Sequence, residues 1–424
     1  MRTALFAIIV VSIVCASDAL IPERMLLDHL LLNYMNTRTE LSTAIISYVE
    51  LKEISSPIEP SYISEVISEN KAYSNISKNI IMTLLANCAG EGSTENELMS
   101  FLNINDKVSL NNRYYSEFTF LNNLKDIELY VGTTIYVQNT FDITANFLSM
   151  CMNELHCSIS KVDFRNDLQV AKTINFGVQK TTNKEISHLI SPGNIDENTK
   201  ILLVNTVYFN IKWLDLPKAE TVQRIFHISP SKMYFVPTIK FENWMFSYGE
   251  IPHWDCKFIE IPSLNDKITV IIFLPNGVGT QNLHKLINEF TFKAFQSVRT
   301  AYTNKYEEDI ELYLPKFTIQ YILNKTNYFQ RHKVITMFED KADFSRLSEI
   351  PLKVSNIGEK VSVRIRNEMP VTSEVVKRRG RKSVEQPQEL IVDRPFMYVI
   401  EIDGKMEFVV AVREPDFIFR KDEL

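Results

Sequence analysis

Seven β-branched and aromatic runs recur along this chain, and what lies between them narrows the choice of fold more than any other feature. The runs at 127–137, 201–209, 258–261, 268–274, 310–314, 361–365 and 397–402 each read as a strand. Helical stretches separate several of them, yet without the regular alternation that builds a parallel doubly wound sheet. The pattern predicts an α+β architecture, and no internal repeat is visible. Upstream, Leu27, Leu30, Leu31 and Tyr34, then Leu41, Ile45, Tyr48 and Val49, sit at helical spacing and predict two helices within 23–53. Residues 55–70, with Pro57 and Pro60, read as an inserted connection. Next, Ile80, Ile81, Leu84, Leu85 and Ala89 run into Gly90 and Gly92. Thr94 with Glu97 three residues later then predicts a capped second helix.

Composition excludes several classes. With 45% hydrophobic residues and 26 phenylalanines in 424 residues, the chain can bury a large core. Its 46 basic against 52 acidic side chains leave a charge of -6, so no overall positive field gathers phosphates and nucleic acid is not an expected partner. Past the first 20 residues, no apolar run approaches the roughly 20 residues that span a bilayer, so no membrane insertion is expected.

The two ends agree with each other. Arg2, the apolar run 4–14 and the small residues Ala16, Ser17 and Ala19 read as a secretory signal, residues 1–19, followed by one domain, 20–424. Lys421-Asp422-Glu423-Leu424 is the tetrapeptide read by the endoplasmic reticulum retention receptor, so the expected location is the reticulum lumen. Removal of Cys15 with the signal leaves Cys88, Cys151, Cys157 and Cys256. These could form two bridges, although a core this large needs none, and free buried thiols are expected. Lumenal entry makes the sequons at Asn75 and Asn324 usable for glycosylation.

Catalytic motifs are missing. The seven histidines form no H-E-x-x-H and no i,i+4 pair, so no metal is expected. There is no G-x-S-x-G, Walker loop, G-x-G-x-x-G or C-x-x-C, so the chain is read as a non-enzyme without a cofactor. What does stand out is Lys377-Arg378-Arg379-Gly380-Arg381-Lys382, five cations in six residues with nothing apolar to anchor them. Such a run belongs on an exposed loop between two strands, open to trypsin-like proteases.

From about Thr39 to Pro415 the chain resembles the serpins, the serine protease inhibitor superfamily. Residues 89–94, A-G-E-G-S-T, are similar to that family's Gly-Ala-Lys-Gly-Asn-Thr turn, and 199–213, T-K-I-L-L-V-N-T-V-Y-F-N-I-K-W, to its central-strand signature. Phe246-Ser247-Tyr248-Gly249-Glu250, residues 272–275, Leu314-Pro315-Lys316-Phe317, Asp343-Phe344-Ser345 and Arg394-Pro395-Phe396 follow in the family's order. The resemblance implies three β-sheets, eight or nine helices, a monomer, and a reactive loop at about 367–392. A serine protease of basic specificity would attack that loop and be trapped when the cut loop enters a sheet as a new strand.

Family loop length admits Arg381, Lys382, Ser383 or Val384 before the cut. Charge narrows this to two bonds, Lys382-Ser383 and its rival Arg381-Lys382, with Lys377, Arg378, Arg379 and Arg381 as protease-recognition residues. Period-two burial favours the first. Counting back from Lys382 sends Met369, Val371, Ser373 and Val375 inward, whereas counting from Arg381 would bury Glu374. The rival has Arg378 three residues before Arg381, the minimum that furin-type convertases accept. The hinge Met369-Pro370-Val371-Thr372 departs from the family's small residues, and Pro370 cannot donate to a ladder. Residues 75–79 also replace the family's Ser-Pro-x-Ser. These departures keep open a second reading, a retained serpin that binds client chains as a chaperone.

Overall fold

The computed structural model describes residues 69–211, 220–302, 309–365 and 388–415. In chain order come β1 (Lys71–Ser74), α1 (Asn75–Cys88), α2 (Ser93–Leu102), α3 (Lys107–Asn122), β2 (Ile127–Gln138), α4 (Ala145–Asn153), β3 (Ser158–Val162), α5 (Asp167–Thr181) and β4 (Ile201–Ile211). Then follow β5 (Glu220–Ser229), β6 (Lys232–Met245), β7 (Ser247–Ile251), β8 (Cys256–Pro262), β9 (Ile268–Pro275), α6 (Thr280–Glu289) and α7 (Phe292–Tyr302). The last are β10 (Asp309–Pro315), β11 (Phe317–Asn324), α8 (Thr326–Arg331), β12 (Asn356–Ile365), β13 (Gln388–Ile391), β14 (Phe396–Ile402) and β15 (Lys405–Val412).

The strands make three sheets, ordered β1-β15-β14-β9-β8-β7, β13-β10-β6-β5 and β11-β12-β4-β2-β3. With eight α-helices among the described residues, this is the α+β architecture expected, and each of the seven expected strands is present. The segment 290–302 groups apart from the unit that holds the sheets; within it, α7 brings the Phe292 and Phe295 rings to 6.3 Å.

The turn after α1 shows why its glycines are needed. A Cβ on Gly90 would fall within 2.4 to 2.6 Å of the Ser345 and Asp343 side chains. Gly90 N instead donates to Asp343 O at 3.2 Å, and Thr94 Oγ1 accepts from Asp343 N at 3.0 Å. Two motifs far apart in sequence, 89–94 and 343–345, are therefore one contact. The expected capping box does not form: Gly92 occupies the N-cap, and no side chain caps the helix. Glu97 serves a tertiary purpose, accepting from Ile335 N at 2.8 Å and from Thr336 N at 2.9 Å. Two amides on another segment outcompete the helix's own N-cap for this carboxylate.

The cysteine expectation needs a second correction. α4 ends at Asn153, His156 turns the chain back with φ 49, and Cys157 N donates to Cys151 O at 2.9 Å. This leaves the Cα atoms 5.1 Å apart, within bridging range, and Cys151 and Cys157 form a disulfide. Cys88 and Cys256 are free and buried as expected, their thiols pushed up by burial.

Candidate functional site

At the middle of the five-stranded sheet, β4 and β12 lie side by side and parallel, paired from Asn356↔Leu202 to Arg364↔Asn210. On their outer sides, β4 pairs antiparallel with β2, and β12 with β11. A parallel ladder has slanted hydrogen bonds and is slightly weaker per residue. β12 ends at Ile365, and the chain re-enters described structure at β13, in the four-stranded sheet. A segment leaving β12 and folding back between it and β4 would run antiparallel to both. One parallel interface would become two antiparallel ones.

Both faces of this seam are covered, and both carry polar fasteners. On β12 the alternation sends Ile357, Glu359, Val361, Val363 and Ile365 into the main core. Glu359 stands opposite Asn205 of β4, and each is completely buried. Asn205 Oδ1 accepts from Ser77 Oγ at 2.6 Å, and its Nδ2 donates to Thr133 Oγ1 at 2.8 Å. Ser77 lies in the first turn of α1, where Ser74 caps its backbone N–H at 3.1 Å. Asn-Ile-Ser-Lys-Asn, the stretch that departs from the family pattern, thus still delivers a hydroxyl to the seam.

Glu359 forms an ion pair with Lys325 Nζ at 2.8 Å, both side chains at 0% exposure. Lys325 N also donates to Ile357 O at 3.1 Å, and its ammonium lies 5.5 Å from the centre of the Tyr73 ring. Sequence reading had Lys325 only as the middle of a sequon. The signal was available: Glu359 interrupts an alternating apolar set, so it has to be buried, and a buried carboxylate calls for a cation.

On the opposite face, α5 and the segment after it lie over the seam. A Cβ on Gly132 would meet Thr181 Oγ1 at 2.4 Å, so only glycine lets β2 approach α5 here. Lys360 Nζ donates to His188 O at 2.6 Å, and burial pushes its pKa down. Arg364 Nη2 pairs with Glu185 Oε2 at 2.7 Å, and its guanidinium lies 5.3 Å from the Tyr208 ring centre. Residues 185–188 therefore latch β12 from outside. Where β14 begins, Arg394 Nε donates to Pro275 O at 2.7 Å, fixing the Arg394-Pro395-Phe396 motif to the end of β9.

The other sequence-predicted site residues divide in two groups. The signal 1–19, the hinge Met369, Pro370, Val371 and Thr372, the cations 377–379, 381 and 382, the bond partner Ser383 and the tetrapeptide 421–424 all lie outside the described residues. Of the sequons, Asn75 is half-buried at the start of α1, its Nδ2 3.5 Å from Glu407 Oε2, with Ile76 and Ser77 buried beside it. Asn324 is the last residue of β11. Among the described residues, no group of three or more His, Cys, Asp or Glu is placed to hold a metal.

The comparisons with known proteins agree with this geometry. The family model described as Serpin (serine protease inhibitor) matches residues 60–415. The chain is 26% identical over 327 residues to antitrypsin of Bombyx mori, covering 76% of this chain and 82% of that one. It is 28% identical over 341 residues to alaserpin of Manduca sexta, covering 77% and 83% respectively. Among solved structures, Serpin48 of Tenebrio molitor superposes with a TM-score of 0.71 at 24% identity, covering 84% of this chain and 96% of that one. Thyroxine-binding globulin complexed with thyroxine superposes with a TM-score of 0.72 at 20% identity, covering 84% and 95%. Three sheets in this order and a family match across most of the chain establish that it belongs to the serpins, which inhibit serine proteases rather than catalyse a reaction of their own.

Proposed function

We propose that this serpin traps a serine protease of basic specificity by cleavage after Lys382, with Arg381 as the rival position, and that it does so within the secretory pathway. The observation that carries the reading is the parallel β4–β12 seam, whose strand β12 runs directly into the segment bearing the five cations. The protease's S1 pocket would take Lys382, and Lys377, Arg378 and Arg379 would supply long-range attraction to an acidic protease surface. Once the acyl-enzyme forms, the freed segment 366–382 would fold back between β12 and β4. Met369, Val371, Ser373 and Val375 then alternate inward, and Pro370, Thr372 and Glu374 outward. The signal at 1–19 and the tetrapeptide 421–424 support residence in the reticulum lumen, where the retention receptor would return escaped molecules.

Pro370 sets the expected rate. It brings no N–H to the ladder, so insertion past it is slower than past alanine, and a share of cleaved inhibitor should release active protease. The test is incubation with trypsin and with furin, a denaturing gel, and mass spectrometry of the fragments. A high-mass band that disappears in Lys382→Ala supports the reading. A band lost only in Arg381→Ala moves the bond by one residue. Loop cleavage with no such band overturns inhibition and leaves client binding as the function to test.

A further inference from the structure

The six-stranded sheet holds an acid that strand insertion does not use. Glu407, near the start of β15, is 9% exposed and lines a cavity of about 210 Å³ between α1, α3 and the β14–β15 turn. Ile76 and Ile80 of α1, Tyr114, Phe118 and Leu121 of α3, and Ile402 of β14 make the walls mostly apolar. The carboxylate receives one hydrogen-bond contact, from Asn75 Nδ2 at 3.5 Å. The charged groups facing it are Glu117 of α3, Lys405 on its own strand and Lys78 of α1, while Asp403 also lines the cavity. Lys405 is 60% exposed and pairs with Glu117 at 3.3 Å. Burial first, and Glu117 second, push the Glu407 carboxyl up to about 7.

We propose that this cavity binds a hydrophobic organic monocation, an arylalkyl amine of about ten to twelve non-hydrogen atoms, with its ammonium on Glu407 and its ring among Tyr114, Phe118 and Ile80. An apolar cavity of roughly 150 Å³ already holds benzene, so this one has room for a larger ring and a short chain. A buried carboxylate only accepts hydrogen bonds, and an ammonium offers three donors. Glu117, Asp403 and Glu407 against Lys405 leave the lining net negative, which repels an anion of similar shape. Coupling to the amine would draw the Glu407 proton off, so binding near pH 6.5 releases a proton.

The experiment is isothermal titration of the full chain with tryptamine, with 3-ethylindole as the uncharged control and indole-3-acetate as the anionic one. At pH 8, tryptamine should bind and both controls should be at least about tenfold weaker. Between pH 8 and 5.5, tryptamine affinity should fall roughly thirtyfold, because an acid titrating near 7 is then mostly protonated while the amine stays charged. At pH 6.5 the heat should vary with the buffer's ionisation enthalpy. Glu407→Gln should weaken tryptamine at least about tenfold at pH 8 and abolish the pH dependence. Absence of tryptamine binding at pH 8, equal binding of 3-ethylindole, or unchanged binding in E407Q overturns the proposal. The ligand and pH series on the unsubstituted protein decides it even if E407Q fails to fold.

Discussion

β9 and β14 meet antiparallel inside the six-stranded sheet, whereas β4 and β12 meet parallel inside the five-stranded one. The first pair is apolar nearly throughout: Thr269 is the polar residue of β9, and Glu401 and the Tyr398 hydroxyl are those of β14. The second carries Asn205, Thr206 and Asn210 on β4, and Asn356, Glu359, Lys360, Ser362 and Arg364 on β12. Ser362 Oγ on β12 and the Tyr398 hydroxyl on β14 are each buried with no hydrogen-bond partner among the described residues, so the contrast lies in the partnered groups of the seam. Close-packed apolar pairs gain from contact alone and have no other state to go to. Polar groups held by specific partners are expensive to bury and can exchange those partners. One sheet is therefore a fixed scaffold, and the other has a seam that can part.

The largest expected effect lies at the buried pair. Lys325→Met strands Glu359 in the core and should cost about 3–5 kcal/mol in urea unfolding. Adding Glu359→Leu should restore most of that loss, since a packed apolar pair is neutral or better than an ion pair. A single substitution costing under about 1 kcal/mol would show that the pair does not fasten the seam.

Glu407 tests the scaffold side. Its folded pKa of about 7 is raised above the ordinary carboxyl value, so the folded protein holds this proton more tightly than the unfolded chain does. Its penalty is absent at pH 4, grows as pH rises towards 7 and is complete above it. Glu407→Gln should accordingly stabilise by up to about 3 kcal/mol at pH 8 and by almost nothing at pH 4. Thermal melts at the two pH values check this, and a larger gain at pH 4 would contradict it.

The smallest effect is at the outer latch. Arg364 and Glu185 are 15% and 28% exposed, so Glu185→Gln should cost no more than about 1 kcal/mol. Its clearer signature is kinetic: with Arg364 released from Glu185 and only the Lys360 contact to His188 O left, insertion should accelerate and the share of trapped protease should rise in a stoichiometry titration. A stability loss without that rise would make the latch a plain surface pair.

Much of this fold was legible in the sequence because its central strands are long apolar runs. Such runs at 201–209, 268–274 and 397–402 have few other places to go. β5 and β6 escaped notice because β5 begins Glu-Thr-Val-Gln-Arg, mostly exposed, and β6 has Pro237 in its interior. β11 begins at Phe317, with only Lys316 between it and Pro315 at the end of β10, and reads as the tail of a motif rather than a strand. At the site, the motifs at 89–94 and 343–345 were each visible, but their mutual contact is tertiary. Thr94 and Glu97 have the spacing of a cap yet serve residues 335, 336 and 343 instead, a choice local propensity cannot express. The partnership of Lys325 and Glu359 depends on β11 and β12 pairing in one register, which neither residue's neighbours encode.

A β4–β12 seam that opens to take up a strand would reveal itself in its backbone amides. Amide hydrogen exchange read by mass spectrometry, on the intact protein and after a single cut following Lys382, tests it most directly. In the intact protein, the β4 and β12 amides should exchange faster than those of β9 and β14. After the cut they should become at least as protected, with a higher melting temperature. Seam amides unchanged by the cut would contradict the account.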